Sequence, residues 1–308
     1  MAAYLAQRIV WMVPVLLAVA LVTFVLMHQV PGGPWDRAKQ LPPEALANVN
    51  HAYGLDKPLW QQFGDYLAGV VRGDLGVSFR GGNRPVSDVL ADGIRVSATL
   101  GLLALVVSTT LGVTLGVVSA LKRNTLIDYA AVTFATMSAS VPSFIVGMLL
   151  LVLFTAQLHW LPSGGWGSPQ QAVMPVLALS ALPAAYIARV TRASMLDVLQ
   201  QDYVRTSRAK GLPERVVVLR HMLRNALIPV LTVIGPIAAM LVTGSFVVEQ
   251  LFAIPGVGRT FVTSIQARDY GVIMGVALFY TFVVAVANLA VDLLYAVIDP
   301  RIRYGRYG

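Results

Sequence analysis

The chain has 308 residues, 56% of them hydrophobic and 12% charged, with a mean hydropathy of +0.70. A soluble domain carries about 25% charged residues, so half that share together with long uncharged runs marks an integral membrane protein. There is no cysteine, which excludes disulfides and thiolate chemistry, and the net charge of +8 has to be judged by where it falls.

Ile9–Val30 holds no acidic or basic side chain other than His28 and is long enough to span a hydrocarbon core of about 30 Å. Its apolar run exceeds the roughly 7–15 residues of a signal-peptide core, and Val-Pro-Gly-Gly-Pro-Trp follows in place of a cleavage site, so we read it as an uncleaved first span. Residues 31–93 are polar, rich in Gly and Pro, and mixed in charge. Leu59, Phe63, Leu67, Val70 and Val71 recur at helical spacing there, which predicts one or two amphipathic helices on the membrane face. Five further spans are expected over Ile94–Leu121, Tyr129–Leu158 (with Pro142 inside), Ala172–Ile187 (short, broken by Pro175 and Pro183), Ala226–Val248 and Gly271–Ile298. The chain is thus read as one integral membrane domain in three stretches. These are a cytoplasmic N-terminus with the first span (1–30), an external amphipathic segment (31–93), and a five-helix core (94–308) that includes the loop 188–225.

With the N-terminus inside, the inner segments 1–8, 122–128, 188–225 and 299–308 hold 14 basic and 5 acidic side chains. The outer segments 31–95, 159–171 and 249–270 hold 9 of each. The excess positive charge lies on one side, as the positive-inside rule expects, so basicity is explained by topology and does not call for nucleic acid. The two termini are then cytoplasmic.

The phosphate loop G-x-x-x-x-G-K-[ST], the zinc motif H-E-x-x-H and the nucleophile motif G-x-S-x-G are all missing from the sequence. The histidines 28, 51, 159 and 221 are scattered. Asp292 lies inside the sixth span four residues after Asn288, which reads either as a functional intramembrane carboxylate or, the preferred reading, as an interhelical hydrogen-bond partner.

The most informative stretch runs from Tyr203 to Pro229. Two short helical patterns flank Gly211-Leu212-Pro213, Pro213 suits the first turn of a new helix, and Glu214 suits its positive end. A loop of this length with its own helices exceeds what topology needs; the plainer alternative is a solvated basic loop. Arg205–Leu212 (RTSRAKGL) followed by His221–Pro229 (HMLRNALIP) resembles the cytoplasmic loop of binding-protein-dependent ABC importer permeases, in the class that serves dipeptides, oligopeptides and nickel chelates. Gly211 matches the glycine of that family's Glu-Ala-Ala loop, and Arg205-Thr206-Ser207 stand where Glu-Ala-Ala is usual, a departure because the acid is replaced by Arg205. Four more elements resemble the family in order: Val30–Pro34, Tyr53–Phe79, Val248–Thr260 and Ala296–Gly305.

The resemblance implies an all-α, six-span permease of the type I importer (MetI-like) fold with a cytoplasmic coupling helix, working by alternating access. It implies a second permease subunit, two P-loop ATPases that carry the ATP and magnesium, an external binding protein facing 31–93, and a bacterial inner membrane. No cofactor, metal or catalytic residue is expected on this chain. The expected ATPase-coupling residues are Arg205, Thr206, Ser207, Ala209, Lys210, Gly211, Leu212, Pro213, Glu214 and His221. Pro142, Ser143, Glu249, Pro255 and Gly256 are candidates for the translocation path or gate; Pro142 reads equally as a packing kink, and Glu249 is preferred as an interfacial carboxylate. A self-contained ion-coupled transporter is the alternative, although no inverted repeat is evident. A membrane enzyme is a third reading without a catalytic constellation.

Overall fold

A computed structural model describes residues 2–35, 42–80 and 82–298. Regular structure among them is helical, apart from an isolated antiparallel bridge between Val77 and Pro85. In chain order the helices are α1 (Ala2–Gln29), α2 (Pro43–Ala52), α3 (Leu59–Val71), α4 (Val86–Leu121), α5 (Leu126–Ser140), α6 (Ser143–Leu150), α7 (Pro169–Leu199), α8 (Asp202–Ala209), α9 (Glu214–Val216), α10 (Leu223–Val242), α11 (Phe246–Leu251), α12 (Val257–Ala267) and α13 (Tyr270–Ile298). Two π-helical stretches, Leu151–Gln157 and Val217–Met222, continue α6 and join α9 to α10. Among the described residues five helical stretches are long and apolar enough to cross a membrane, and α5 with α6 makes a sixth if counted as one bent span. The protein is a multi-pass membrane protein.

The chain divides into two compact units, one built on Met1–Ser97 and Pro255–Leu289, the other on Ala98–Ile254. In the first unit, Ala20, Phe24 and Met27 of α1 pack on Tyr270, Ile273, Met274 and Leu278 of α13. Phe63, Tyr66, Leu67 and Val70 lay one face of α3 on this cluster, at the i, i+3, i+4, i+7 spacing of a helix stripe. Leu59 and Val71, expected on the same face, are exposed. Asp269, buried at the start of α13, accepts from the backbone N–H groups of Phe79 (3.0 Å), Arg80 (3.2 Å) and Val272 (3.3 Å) and from the Ser78 hydroxyl. One carboxylate therefore caps a helix and ties down the segment around the bridge.

The second unit is centred on α7, whose Met174, Ala178, Ile187, Thr191 and Met195 are fully buried. Gly112 and Gly116 of α4 lie against it so closely that a Cβ on Gly112 would meet Ile187 Cβ at 2.7 Å, and one on Gly116 would meet Thr191 Cβ at 2.5 Å. This small-xxx-small spacing lets two backbones approach in the way membrane helices favour.

Three expected spans differ from the structure. Pro142 does not sit inside a continuous span: Val141 is driven to extended geometry (φ −101°, ψ 122°), α5 ends, and α6 departs at 105°. Pro175 and Pro183 do not break the fourth span; α7 runs through both for 31 residues. Embedding in neighbouring helices is the setting in which membrane helices tolerate proline. The fifth span ends at Val242 rather than Val248, because Gly244 (φ +91°) turns the chain and Ser245 caps a separate helix. The Asp292 side chain and Asp299-Pro300-Arg301 lie outside the described residues.

Candidate coupling site

The site is a helix–turn–helix held by a few buried side chains. Val204 of α8 is wholly buried with Met195 and Val198 of α7, Ala120 of α4, and Val217, Val218, Met222 and Ala226 beyond the turn. The loop is thereby anchored to three membrane helices. Tyr203 Oη accepts from Asn225 Nδ2 at 2.8 Å, a second tie between α8 and α10.

The turn has a defined geometry. Lys210 is the C-cap of α8 and Gly211 follows at φ +73°. The N–H of Gly211 donates to Arg208 O (2.9 Å) and that of Leu212 to Ser207 O (3.4 Å), the two bonds of a Schellman motif. A Cβ at Gly211 would meet nothing within 4 Å, so its glycine is required by the positive φ and not by crowding. Pro213 (φ −62°) starts the next helix. Arg208 bridges the turn with two bonds to Glu214, Nη2–Oε1 2.6 Å and Nε–Oε2 3.1 Å. That carboxylate holds the Arg208 guanidinium above its ordinary range.

Of the ten expected coupling residues, Arg205, Thr206, Ala209, Lys210, Gly211, Leu212, Pro213 and Glu214 are exposed around one turn. Ser207 is buried and donates to Tyr203 O at 2.7 Å, so it supports the helix instead of presenting a contact. His221 is half-buried in the π-helical stretch beyond the turn. The arrangement offers a small rigid knob with a basic flank, Arg205 and Lys210, and an exposed leucine at its tip.

The expected path residues are split between the units. Pro142 caps α6 at the bend, and Ser143 is its half-buried first residue. Glu249 is wholly buried and not presented at an interface; its Oε1 accepts from Ser245 N (3.2 Å) while Ser245 Oγ accepts from Val248 N (3.3 Å), closing the start of α11. Pro255 is exposed and Gly256 is the buried N-cap of α12, both in the first unit.

Sequence reasoning missed a latch above the loop. Asp128 at the start of α5 receives Arg192 of α7 through Nε–Oδ1 (2.8 Å) and Nη2–Oδ2 (2.9 Å), the Ser119 hydroxyl of α4, and Asn124 N (3.0 Å). Asp128 is 3% exposed as a side chain and Arg192 is half-buried, so one ion pair joins the end of α4, the start of α5 and α7. The Gly112/Gly116 spacing was a signal for the same helix contact.

This architecture has relatives. Residues 112–304 match the family model of the binding-protein-dependent transport system inner membrane component, and residues 1–100 match its N-terminal companion. The chain belongs to this family. The permease is 42% identical over 308 residues to the dipeptide transport system permease protein DppB of Bacillus subtilis, covering 100% of both chains. It is 40% identical over 303 residues to the oligopeptide transport system permease protein OppB of Escherichia coli, covering 98% of this chain and 99% of the relative. Among solved structures, a chain of the inward-facing MetNI methionine ABC transporter matches with a TM-score of 0.56 at 18% identity, over 68% of this chain and 96% of that one. That likeness establishes the type I importer fold for the permease.

Proposed function

We propose that this permease is the membrane pore subunit of an ATP-driven importer of short peptides. The names of the dipeptide and oligopeptide relatives support the cargo class, and the anchored knob at Gly211 carries the coupling role. The subunit itself performs no chemistry. It pairs with a second permease, takes solute from an external binding protein, and seats two P-loop ATPases that bind the ATP and magnesium. The lipid is the bacterial inner membrane, with both termini and the 188–225 loop in the cytoplasm.

The mechanism follows from the welds. A knob tied to α4, α7 and α10 by Val204 and its neighbours passes displacement to three membrane helices at once. Nucleotide-driven closure of the ATPases shifts the population between inward- and outward-open states by its differential affinity for the two. Co-expression with the ATPases and binding protein, followed by uptake of a radiolabelled dipeptide into proteoliposomes, is the test. Uptake is expected to require ATP and to persist when ion gradients are collapsed; uptake driven by the gradient alone would overturn the reading.

A further inference from the structure

We propose that the first unit holds a site for one anionic phospholipid, its phosphate on Arg268 and an acyl chain in the groove between the end of α1, α12 and the start of α13. These elements leave an open groove of about 500 Å³. Its lining is mostly apolar: Met27 and Ile273 are buried, and Leu26, Val30 and Ile265 are half or more exposed. A groove of this kind takes one acyl chain while the rest of the lipid stays in the bilayer.

The groove stands at a membrane boundary. α1 is the first span, and its last two turns line the groove together with residues just past them. The apolar run of α1 ends at Val30, and Gly32 and Gly33 follow. Arg268 Nη1 donates to Gly33 O at 3.4 Å, which fixes the guanidinium just beyond that run. Thr23, also at the lining, lies about 9 Å back from the end of α1 by helical rise. One end of the groove is therefore at hydrocarbon depth and the other at the level of the headgroups.

Charge selects the headgroup. Arg268 ends α12 at φ +55°, ψ +39°, a left-handed position where glycine is usual. A long side chain kept at such an angle points to a use for that side chain. The neighbouring Asp269 faces elsewhere, since its carboxylate is buried on the N–H groups of Phe79, Arg80 and Val272. Among the described residues no acid lines the groove. A guanidinium is a planar fork of donors that matches two oxygens of a phosphate. A positive fork at the polar end of an apolar groove is complementary to a lipid whose headgroup is negative. The site requires only that α1 spans a membrane, so it stands apart from the transport reading.

The test is native mass spectrometry of the full-length chain released from detergent micelles that contain dioleoylphosphatidylglycerol or dioleoylphosphatidylcholine. One saturable phosphatidylglycerol adduct is expected, favoured over phosphatidylcholine and not displaced by excess glycerol 3-phosphate. Arg268→Asn removes the charge with a residue that tolerates the left-handed angle, and is expected to cut the adduct about fivefold. Ile265→Trp fills the groove from an exposed position and is expected to cut it as far, with both variants shown to be folded by size-exclusion chromatography. Absence of a saturable adduct, equal retention of the two lipids, or an unchanged adduct in either folded variant would overturn the site. Displacement by glycerol 3-phosphate would overturn the lipid as its occupant.

Discussion

At the scale of single residues, the coupling turn depends on one backbone angle. Gly211→Ala forces a side chain into the left-handed region at a cost of about 1–2 kcal/mol, whereas Asn tolerates that region better. ATP-dependent uptake is expected to rank wild type above Gly211→Asn above Gly211→Ala, with membrane insertion unchanged; full uptake by the alanine variant would remove the requirement. The Asp128–Arg192 pair makes a different demand. Removing Asp128 alone leaves a half-buried guanidinium without its partner and is expected to destabilise by about 1–3 kcal/mol, while Asp128→Ala with Arg192→Met recovers part of the loss. Thermal melting in detergent checks this, and strictly additive losses would contradict a coupled pair. The Gly211 turn was legible in the sequence because its determinants are local: Gly, then Pro, then Glu. The ion pair was not, because its partners are 64 positions apart and only the fold brings them together.

At the scale of elements, α8 is held by Val204 and not by its charges. Val204→Asp places a carboxylate in an apolar cluster and is expected to release α8, abolishing ATPase co-purification, while Val204→Ile, which keeps the position apolar, retains it. Retained co-purification by Val204→Asp would show that the knob forms without its anchor. The α4–α7 contact is equally specific. Gly112→Leu or Gly116→Leu leaves no room for the added atoms, and loss of folded chain by size-exclusion chromatography is the expected result. The apolar runs located every span, but their ends followed other rules. The kink expected at Pro142 is a 105° break, since the residue before a proline leaves helical geometry when the turn is free to open. Pro175 and Pro183, expected as breaks, lie within one helix, since neighbouring helices can satisfy the backbone groups a proline frees.

For the whole molecule, the charge tally and the six-span pattern set an orientation that the chain is well suited to report, because it has no cysteine of its own. Lys210→Cys is expected to react with an impermeant maleimide only in inverted vesicles, and Val71→Cys, which is exposed, only in right-side-out ones. The opposite pattern would reverse the topology. Reversing Arg205 and Lys210 to glutamate is expected to weaken ATPase association most at low ionic strength, the difference shrinking towards about 1 M salt, where the screening length falls to about 3 Å. The π-helical stretch Val217–Met222 adds one more consequence. Such a stretch is an α-helix carrying one extra residue, and each residue of an α-helix advances the phase by about 100°. Val217–Met222 is therefore a vernier between the knob and the fifth span. Deleting Arg220 would reset it to an ordinary helix while Val218 before it and Met222 after it still face one cluster, whereas deleting a residue within α10 would turn everything beyond it by about 100°.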